Sequence, residues 1–98
     1  MRKDLSPAQI SVQSCHGIIE SCKLFNYDSL PHPSVIIFES KNDIKLHQVS
    51  KHLINEGIKH VHFFEPDMGG QLTSIVTCPI FGEDRKKLSK YQLLGSKN

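Results

Sequence analysis

The stretch KHVHFFEPDMGGQLTSIVTC (residues 59–78) contains two β-branched and aromatic runs separated by turn-forming residues. Residues 59–64 and 71–78 each have the length of a strand, and Val, Ile, Thr and Phe are enriched in strands. Residues 65–70 carry a proline, an aspartate and two adjacent glycines, which are residues that turns favour. The stretch therefore predicts a strand, a loop and a strand, and it is compatible with a hairpin.

The segment before this stretch predicts a strand followed by a helix. Residues 34–39 (SVIIFE) form a short apolar, β-branched run, which indicates a central strand covered on both faces, as in parallel sheets. Asn42 can cap a helix, and Gly57 can end it in a left-handed conformation. The predicted inward stripe of this helix contains Leu46, Val49, Leu53 and Ile54. Because a strand, a helix and a strand in succession form a right-handed parallel crossover, a mixed sheet is expected.

The N-terminal segment predicts another helix. Ser6 can cap the free amides, and Pro7 is tolerated at the first helical position. The helix should end near Phe25 or Asn26. Apolar residues recur every three or four positions, so we expect them to face the core. They are Ala8, Val12, Cys15, Ile19 and Cys22, with Ile18 and Phe25 widening the stripe.

A closing basic helix is predicted over residues 85–94, with Leu88, Tyr91 and Leu94 facing inward. The whole order of elements predicts an α/β fold. In this fold, a single three-layer domain over residues 1–98 contains a small mixed β-sheet of about four strands flanked by helices. A length of 98 residues fits one small domain with one core.

The composition narrows the class of protein. Hydrophobic residues are 38% and charged residues 22% of the chain, which is typical of a folded globular domain. No apolar run approaches the roughly 18 residues of a membrane span, and the first residues carry no apolar signal region, so we expect a cytoplasmic protein without a membrane partner. Three cysteines without paired spacing argue against a disulfide framework or a zinc knuckle. The net charge of +2 is too small to indicate a nucleic-acid partner by itself.

The polar side of the first helix is a candidate site. Gln9, Gln13, His16, Glu20 and Lys23 fall on one line at 100° per residue. One interpretation is a solvent-exposed face. The other is a cleft in which the imidazole of His16 moves a proton near neutral pH and the amide of Gln13 orients a substrate carbonyl.

The loop over residues 65–70 is the second candidate. Asp67 precedes Gly69 and Gly70, and the chemistry of a turn is enough to explain all three residues. Alternatively, Asp67 acts as a base or an orienting group, and the glycines let a substrate approach the backbone closely.

Two further clusters have an ordinary and a functional interpretation. The densest basic patch is either a solvated helix face or a contact for a phosphate backbone. It consists of Arg85, Lys86, Lys87 and Lys90. His60 and His62 share one face of a strand, but companion ligands at suitable spacing are missing. A surface pair is therefore the better interpretation, and no metal is expected.

Asp4-Leu5, residues 6–13 (SPAQISVQ) and His16-Gly17 resemble the first motif of the type 2 peptidyl-tRNA hydrolases. That motif has an Arg-x-Asp-Leu segment, then Ser-Pro-Gly-Lys, then Gln-x-x-His. The resemblance implies a mixed four-stranded sheet flanked by helices, a frequent homodimer and no cofactor. It also implies an activity, which is hydrolysis of the ester between a peptide and tRNA, with peptidyl-tRNA or tRNA as the partner.

The same resemblance extends to the later Asp-x-Gly loop and suggests roles for individual residues. By position it implies that the catalytic residues are Gln13, His16 and Asp67. Our candidate substrate-binding residues are Gln9, Gly69, Gly70, Gln71, Lys86 and Lys87.

This chain departs from the family pattern at two places. Gln9 stands where the family has its catalytic lysine, and Gly70-Gln71 stands where it has Arg-Thr. Thr73 supplies the missing hydroxyl only if the alignment of the loop shifts. Because a neutral amide cannot supply positive charge to a developing oxyanion, the loss of a lysine costs on the order of 100-fold in rate. The alternative function is therefore that of a catalytically impaired relative that binds tRNA or a protein partner.

Overall fold

The computed structural model describes residues 1–30 and 34–95. Within those ranges it contains two α-helices, two 3₁₀ helices and one sheet of two antiparallel strands. In chain order the elements are α1 (Pro7–Leu24), α2 (Asp43–Asn55), β1 (His60–Glu65), a 3₁₀ helix (Pro66–Met68), β2 (Gln71–Thr77) and a second 3₁₀ helix (Gly82–Leu88).

Strands β1 and β2 form a hairpin, as the sequence suggested. His60 lies opposite Thr77, Glu65 lies opposite Gln71, and the register shifts between Phe63 and Phe64, the fourth and fifth residues of β1. The connection ends with Gly69 and Gly70 at φ values of 68° and 76°, a region that favours glycine because it has no Cβ.

The two α-helices pack on opposite faces of the hairpin. Phe63 pairs with Ser74, whose Oγ donates a hydrogen bond of 3.2 Å to the carbonyl of Gln13 in α1. The neighbouring residue of β1, His62, makes a hydrogen bond of 2.7 Å through Nε2 with Ser50 Oγ in α2. Since successive side chains of a strand point to opposite faces, each helix covers one face of the hairpin.

The predicted mixed sheet of about four strands is wrong. The described residues contain one sheet, and it has two antiparallel strands. Residues 34–39, predicted as a central strand, make one isolated bridge from Phe38 to Leu93, and Val35 is 66% exposed. A second isolated bridge joins Arg2 to Ser40 in parallel. The chain remains α/β in general, but the predicted parallel crossover through α2 is absent from the described residues because residues 34–39 are not a strand.

Helix α2 has the predicted ends, but one residue that was predicted to face the core does not. The side chain of Asn42 accepts the backbone N–H of Lys45 at 3.0 Å, and Gly57 has a φ of 71°. Leu46 and Leu53 are buried as expected. Ile54, predicted to face inward, is exposed because it lies outside the stripe that covers the hairpin.

Helix α1 begins as predicted at its Ser6 cap and ends at Leu24, but it buries a different face. Its buried residues are Gln13, Gly17 and Ser21, four positions apart. The residues predicted to face inward are mostly exposed, among them Val12 at 51%, Ile19 at 52%, Ile18, Ala8, Cys15 and Cys22. The apolar periodicity located the helix correctly and assigned the wrong side to the core.

The predicted closing helix over residues 85–94 is also wrong. The chain forms a 3₁₀ helix over Gly82–Leu88 and then turns before the bridge at Leu93. Phe81, the N-cap residue of this 3₁₀ helix, makes no side-chain hydrogen bond to the first turn. Without such a cap, the free amides at the start of a longer helix would lack a protein partner.

Candidate functional site

Glu65, the last residue of β1, accepts hydrogen bonds from two other segments. Its Oε2 accepts from Gln13 Nε2 at 3.0 Å, and its Oε1 accepts from the backbone N–H of Asp67 at 3.2 Å. The residue is only 8% exposed. These two bonds connect α1, β1 and the 3₁₀ helix after β1 at one carboxylate.

The side-chain amide of Gln13 links this carboxylate to β2. Thr73 Oγ1 donates a hydrogen bond of 2.7 Å to Gln13 Oε1, and Thr73 is fully buried. Because a carboxylate can only accept, the amide nitrogen of Gln13 must face Glu65 and its oxygen must face Thr73. Gln13 is itself 4% exposed, so its amide is held in a single orientation by buried partners. We refer to Gln13, Glu65 and Thr73 as the Glu65 network.

The Glu65 network favours the charged form of the carboxyl group. The hydrogen bond from Gln13 lowers the pKa of Glu65 most strongly, and the backbone N–H of Asp67 lowers it further. Burial raises this pKa in opposition, and positive charge on His16 lowers it slightly. The net effect is a pKa below the usual value, so a fixed negative charge lies beside His16 at neutral pH.

His16 is half-buried on α1, and its ring stacks on Phe63. The two ring centroids are 4.7 Å apart and the planes differ by 7°. Within residues 1–30 and 34–95, the ring nitrogens of His16 make no hydrogen bond to another protein group. The stacking on Phe63 sets the plane of the imidazole ring.

Asp67 lies in the 3₁₀ helix after β1, and it is exposed. Its carboxylate makes no ion pair with any residue that the structure describes. A Cβ added at Gly69 or Gly70 would meet no atom within 4 Å. These glycines are therefore required by their backbone conformation, and open space lies beside them.

Other predicted site residues are engaged in contacts outside the Glu65 network. The Gln9 side chain accepts the backbone N–H of Ser6 at 2.9 Å in a capping box. Gln71 accepts from Arg2 Nη1 at 2.8 Å. Both predicted lysines form local ion pairs, Lys86 with Glu83 at 3.1 Å and Lys87 with Asp84 at 3.0 Å.

Sequence reasoning missed Glu65 and gave Thr73 only a conditional role. Nothing in a single sequence marks which carboxylate will be buried, because burial depends on donors from distant segments. One available signal was Gly17. A glycine inside a helix destabilises it by about 1 kcal/mol relative to alanine, so its presence indicates a packing reason.

A histidine pair lies on the opposite face of the hairpin. Ser50 Oγ makes hydrogen bonds with His60 Nε2 at 2.9 Å and with His62 Nε2 at 2.7 Å. Burial lowers the pKa of His62 most strongly, and positive charge on His60 and His47 lowers it further. In the part of the chain that the structure describes, no group of three or more potential ligands could hold a metal ion.

We expect the protein to lose stability as the pH falls below about 6.5, the usual pKa of histidine. The folded pKa of His62 lies below that value, so the unfolded chain binds the proton more readily. The contribution of His62 is complete above the unfolded pKa and declines as pH falls toward the lowered folded pKa. Urea unfolding of the native protein and His62→Gln at about pH 7.5 and about pH 5.5 measures this loss. An identical pH dependence in the two proteins would contradict the assignment.

No known family model, curated protein or solved structure matches this chain. The fold and the site define an α/β protein with a buried carboxylate, amide and hydroxyl network beside a stacked histidine. Among the described residues, no helix has the length and apolar character to cross a membrane. The resemblance to type 2 peptidyl-tRNA hydrolases stays a prediction from the residues that carry it.

Proposed function

We propose that this protein is a peptidyl-tRNA hydrolase-like enzyme that cleaves the ester between peptide and tRNA. The observation that supports the proposal is that Gln13 and His16, both on α1, and Asp67, two residues after the end of β1, lie near Glu65. Gln13 and the backbone of Asp67 bond its two oxygens, and charge on His16 lowers its pKa. A shared site requires candidate residues to meet in this way.

Ester hydrolysis requires a base that takes the proton of the attacking water and an acid that protonates the leaving ribose oxygen. His16 can perform both steps in turn, because its ring is oriented by Phe63 and its nitrogens make no hydrogen bond to another described group. The exposed carboxylate of Asp67 can hold the water. Water forms the new C–O bond, the ester C–O bond breaks, and a peptide acid and a tRNA hydroxyl result. Gln13 is too buried to touch substrate, so we assign it a positioning role toward Glu65.

We expect purified protein to release peptide from peptidyl-tRNA, and His16→Ala or Asp67→Ala to slow this release on the order of 100-fold. A labelled peptidyl-tRNA with single-turnover kinetics measures the release. His47→Ala is a matched control, because His47 is exposed on α2 and should leave the rate unchanged. No turnover above buffer in the native protein would overturn the enzymatic proposal.

A second candidate function is a catalytically impaired relative that holds tRNA or a protein partner. It is supported by Gln9, whose neutral side chain closes the capping box of α1 and brings no positive charge. Gln9→Lys distinguishes the two candidates. If this variant gains hydrolysis on the order of 100-fold, the native chain is the impaired form. RNA binding without turnover in either protein would also favour the second candidate.

A further inference from the structure

A cavity of about 310 Å³ lies beside α2, and no residue of the Glu65 network lines it. One face of α2 forms part of its wall, because these residues recur at helical spacing. They are Lys45, Gln48, Val49 and His52. The rest comes from residues 39–41 and 90–91, which lie close together because Glu39 N–H donates to the carbonyl of Gln92 at 2.9 Å.

The cavity brings together three lysines that have no carboxylate partner among the described residues. They are Lys41, Lys45 and Lys90. Lys3, Lys23, Lys86 and Lys87 form ion pairs. Lys51 and Lys59 also make no ion pair among the described residues, but they do not line this cavity. A concave wall lined by charges of one sign concentrates its electrostatic potential and attracts ions of the opposite sign.

The one carboxylate that lines the cavity, Glu39, contacts groups other than the three lysines, and its Oε1 accepts no hydrogen bond from a described residue. Glu39 Oε1 lies 3.5 Å from Lys3 Nζ, and Glu39 Oε2 accepts the backbone N–H of Gly95 at 3.2 Å. His52 also faces a carboxylate outside the cavity wall, since its Nε2 lies 3.7 Å from Glu56. Among the described residues, the three lysines therefore have no ion-pair partner that would compete with a ligand.

Tyr91 adds an aromatic surface to the lysines. Burial raises the pKa of its hydroxyl, so the hydroxyl keeps its proton and can donate to His52 Nδ1. The ammonium of Lys90 lies 5.5 Å from the centre of the Tyr91 ring. A ligand with a negatively charged group and an attached flat ring could contact both the lysines and the aromatic ring of Tyr91.

We propose that this cavity binds a terminal phosphate, carried by a mononucleotide or by the end of an RNA chain. A phosphate monoester has a charge of roughly −1.5 to −2 at pH 7 and three acceptor oxygens, which suits three ammonium groups. A carboxylate or an internal phosphodiester has a single charge and is a poorer match. The volume lies near the lower end of small-ligand sites, about 300 to 1,000 Å³. The inference does not rest on the hydrolase proposal.

Amide NMR titrations with AMP, adenosine and sodium acetate at equal ionic strength test the chemistry and the location. We expect AMP to shift the signals of Lys41, Lys45 and Lys90 saturably, and adenosine and acetate to leave them in place. An RNA with a 5′-phosphate compared with the same RNA carrying a 5′-hydroxyl distinguishes a free nucleotide from an RNA end. Saturable shifts with AMP and none with either RNA would support a free nucleotide as the ligand. Equal shifts with acetate, equal saturable shifts with the two RNAs, or no saturable shift with AMP would each overturn the proposal.

A charge-matched pair of variants tests the residues. We expect Lys41→Gln/Lys45→Gln to weaken AMP binding by about tenfold or more, because each removes a charge-assisted contact. Lys51→Gln/Lys59→Gln changes the net charge equally at two exposed lysines outside the cavity wall and should weaken binding by less than about twofold. Lys90 lies outside α2, so Lys90→Gln gives a second test if Lys41→Gln/Lys45→Gln unfolds the protein. Equal losses in the two double variants would show a general charge effect and overturn the assignment.

Discussion

Gly17→Val should lower the free energy of unfolding by about 3 kcal/mol, at the upper end of overpacking costs. Helix α1 lies so close to β2 that a Cβ at position 17 would be 2.8 Å from Ser74 Oγ and 2.8 Å from Val76 Cγ2. Valine adds two further methyl groups to that space. Either the side chains of Ser74 and Val76 must rotate or the helix must move away from β2, and in both cases the Gln13 contacts one turn earlier would loosen.

Urea unfolding measures this effect, with Cys15→Val as the control. Cys15 is exposed on the same helix, so a β-branched side chain there meets no strand. Gly17→Ala should cost less, about 1 kcal/mol, because its closer contact is partly offset by the better helix propensity of alanine. If Gly17→Val unfolded at the urea concentration of the native protein, the close packing of α1 on β2 would be refuted.

Gln13→Leu should lower the free energy of unfolding by about 2 to 4 kcal/mol, since it leaves buried polar groups without partners. Leucine has a similar size but can neither donate to Glu65 Oε2 nor accept from Thr73 Oγ1. Thr73 is fully buried, so water cannot easily replace the lost acceptor, and its hydroxyl keeps only a long hydrogen bond of 3.4 Å to the carbonyl of Phe63. The variant also removes the strongest cause of the lowered pKa of Glu65, and this pKa should therefore rise.

A double-mutant cycle isolates the contact that Gln13 makes with Thr73. The loss in Gln13→Leu/Thr73→Val should be smaller than the sum of the single losses by about 1 kcal/mol. NMR titration of the Glu65 carboxyl follows its pKa in the same proteins. Gln48→Leu, an exposed change of the same type on α2, is the stability control. Additive losses together with an unchanged pKa would contradict the network.

Local chemistry allowed several elements to be predicted. Ser6 and Asn42 cap their helices, and Gly57 supports the turn that ends α2. The hairpin followed from β-branched runs on both sides of a turn sequence. Each of these features depends on residues a few positions apart, so the information lies within a short window.

The apolar run over residues 34–39 shows where local chemistry is insufficient. Its composition favours a strand, yet Val35 and its neighbour Ile36 are exposed. A strand forms only when another segment pairs with its backbone along several residues. Here the backbone bonds are scattered, for example from Ser40 N–H to the carbonyl of Met1 and from Leu94 N–H to the carbonyl of Ile37. Hydrophobic pattern alone does not supply the partner.

The residues of the candidate site were easier to predict from the sequence than the way in which they are arranged. His16, Gln13 and Asp67 were singled out by type and by a resemblance, but Glu65, which connects two of them, was not. The solvent interpretation of the polar line on α1 is wrong for Gln13, which is buried, whereas Gln9 is exposed at the helix start. Residues on the same side of a helix can thus differ in burial, because α1 contacts the hairpin only over part of its length.

The sequence by itself determined the ends of α1, α2 and the two hairpin strands to within about two residues, since caps, glycines and turn residues act over one or two turns of chain. Only the tertiary structure decided which face of α1 is buried and which polar groups meet. The Gln13 bonds to Glu65 and Thr73 span 52 and 60 residues of chain. Their physical basis is the close approach permitted at Gly17 together with the need of buried donors and acceptors for partners. These conditions depend both on the surface of α1 and on the surface of the hairpin, and the periodicity of α1 describes only the first of these surfaces.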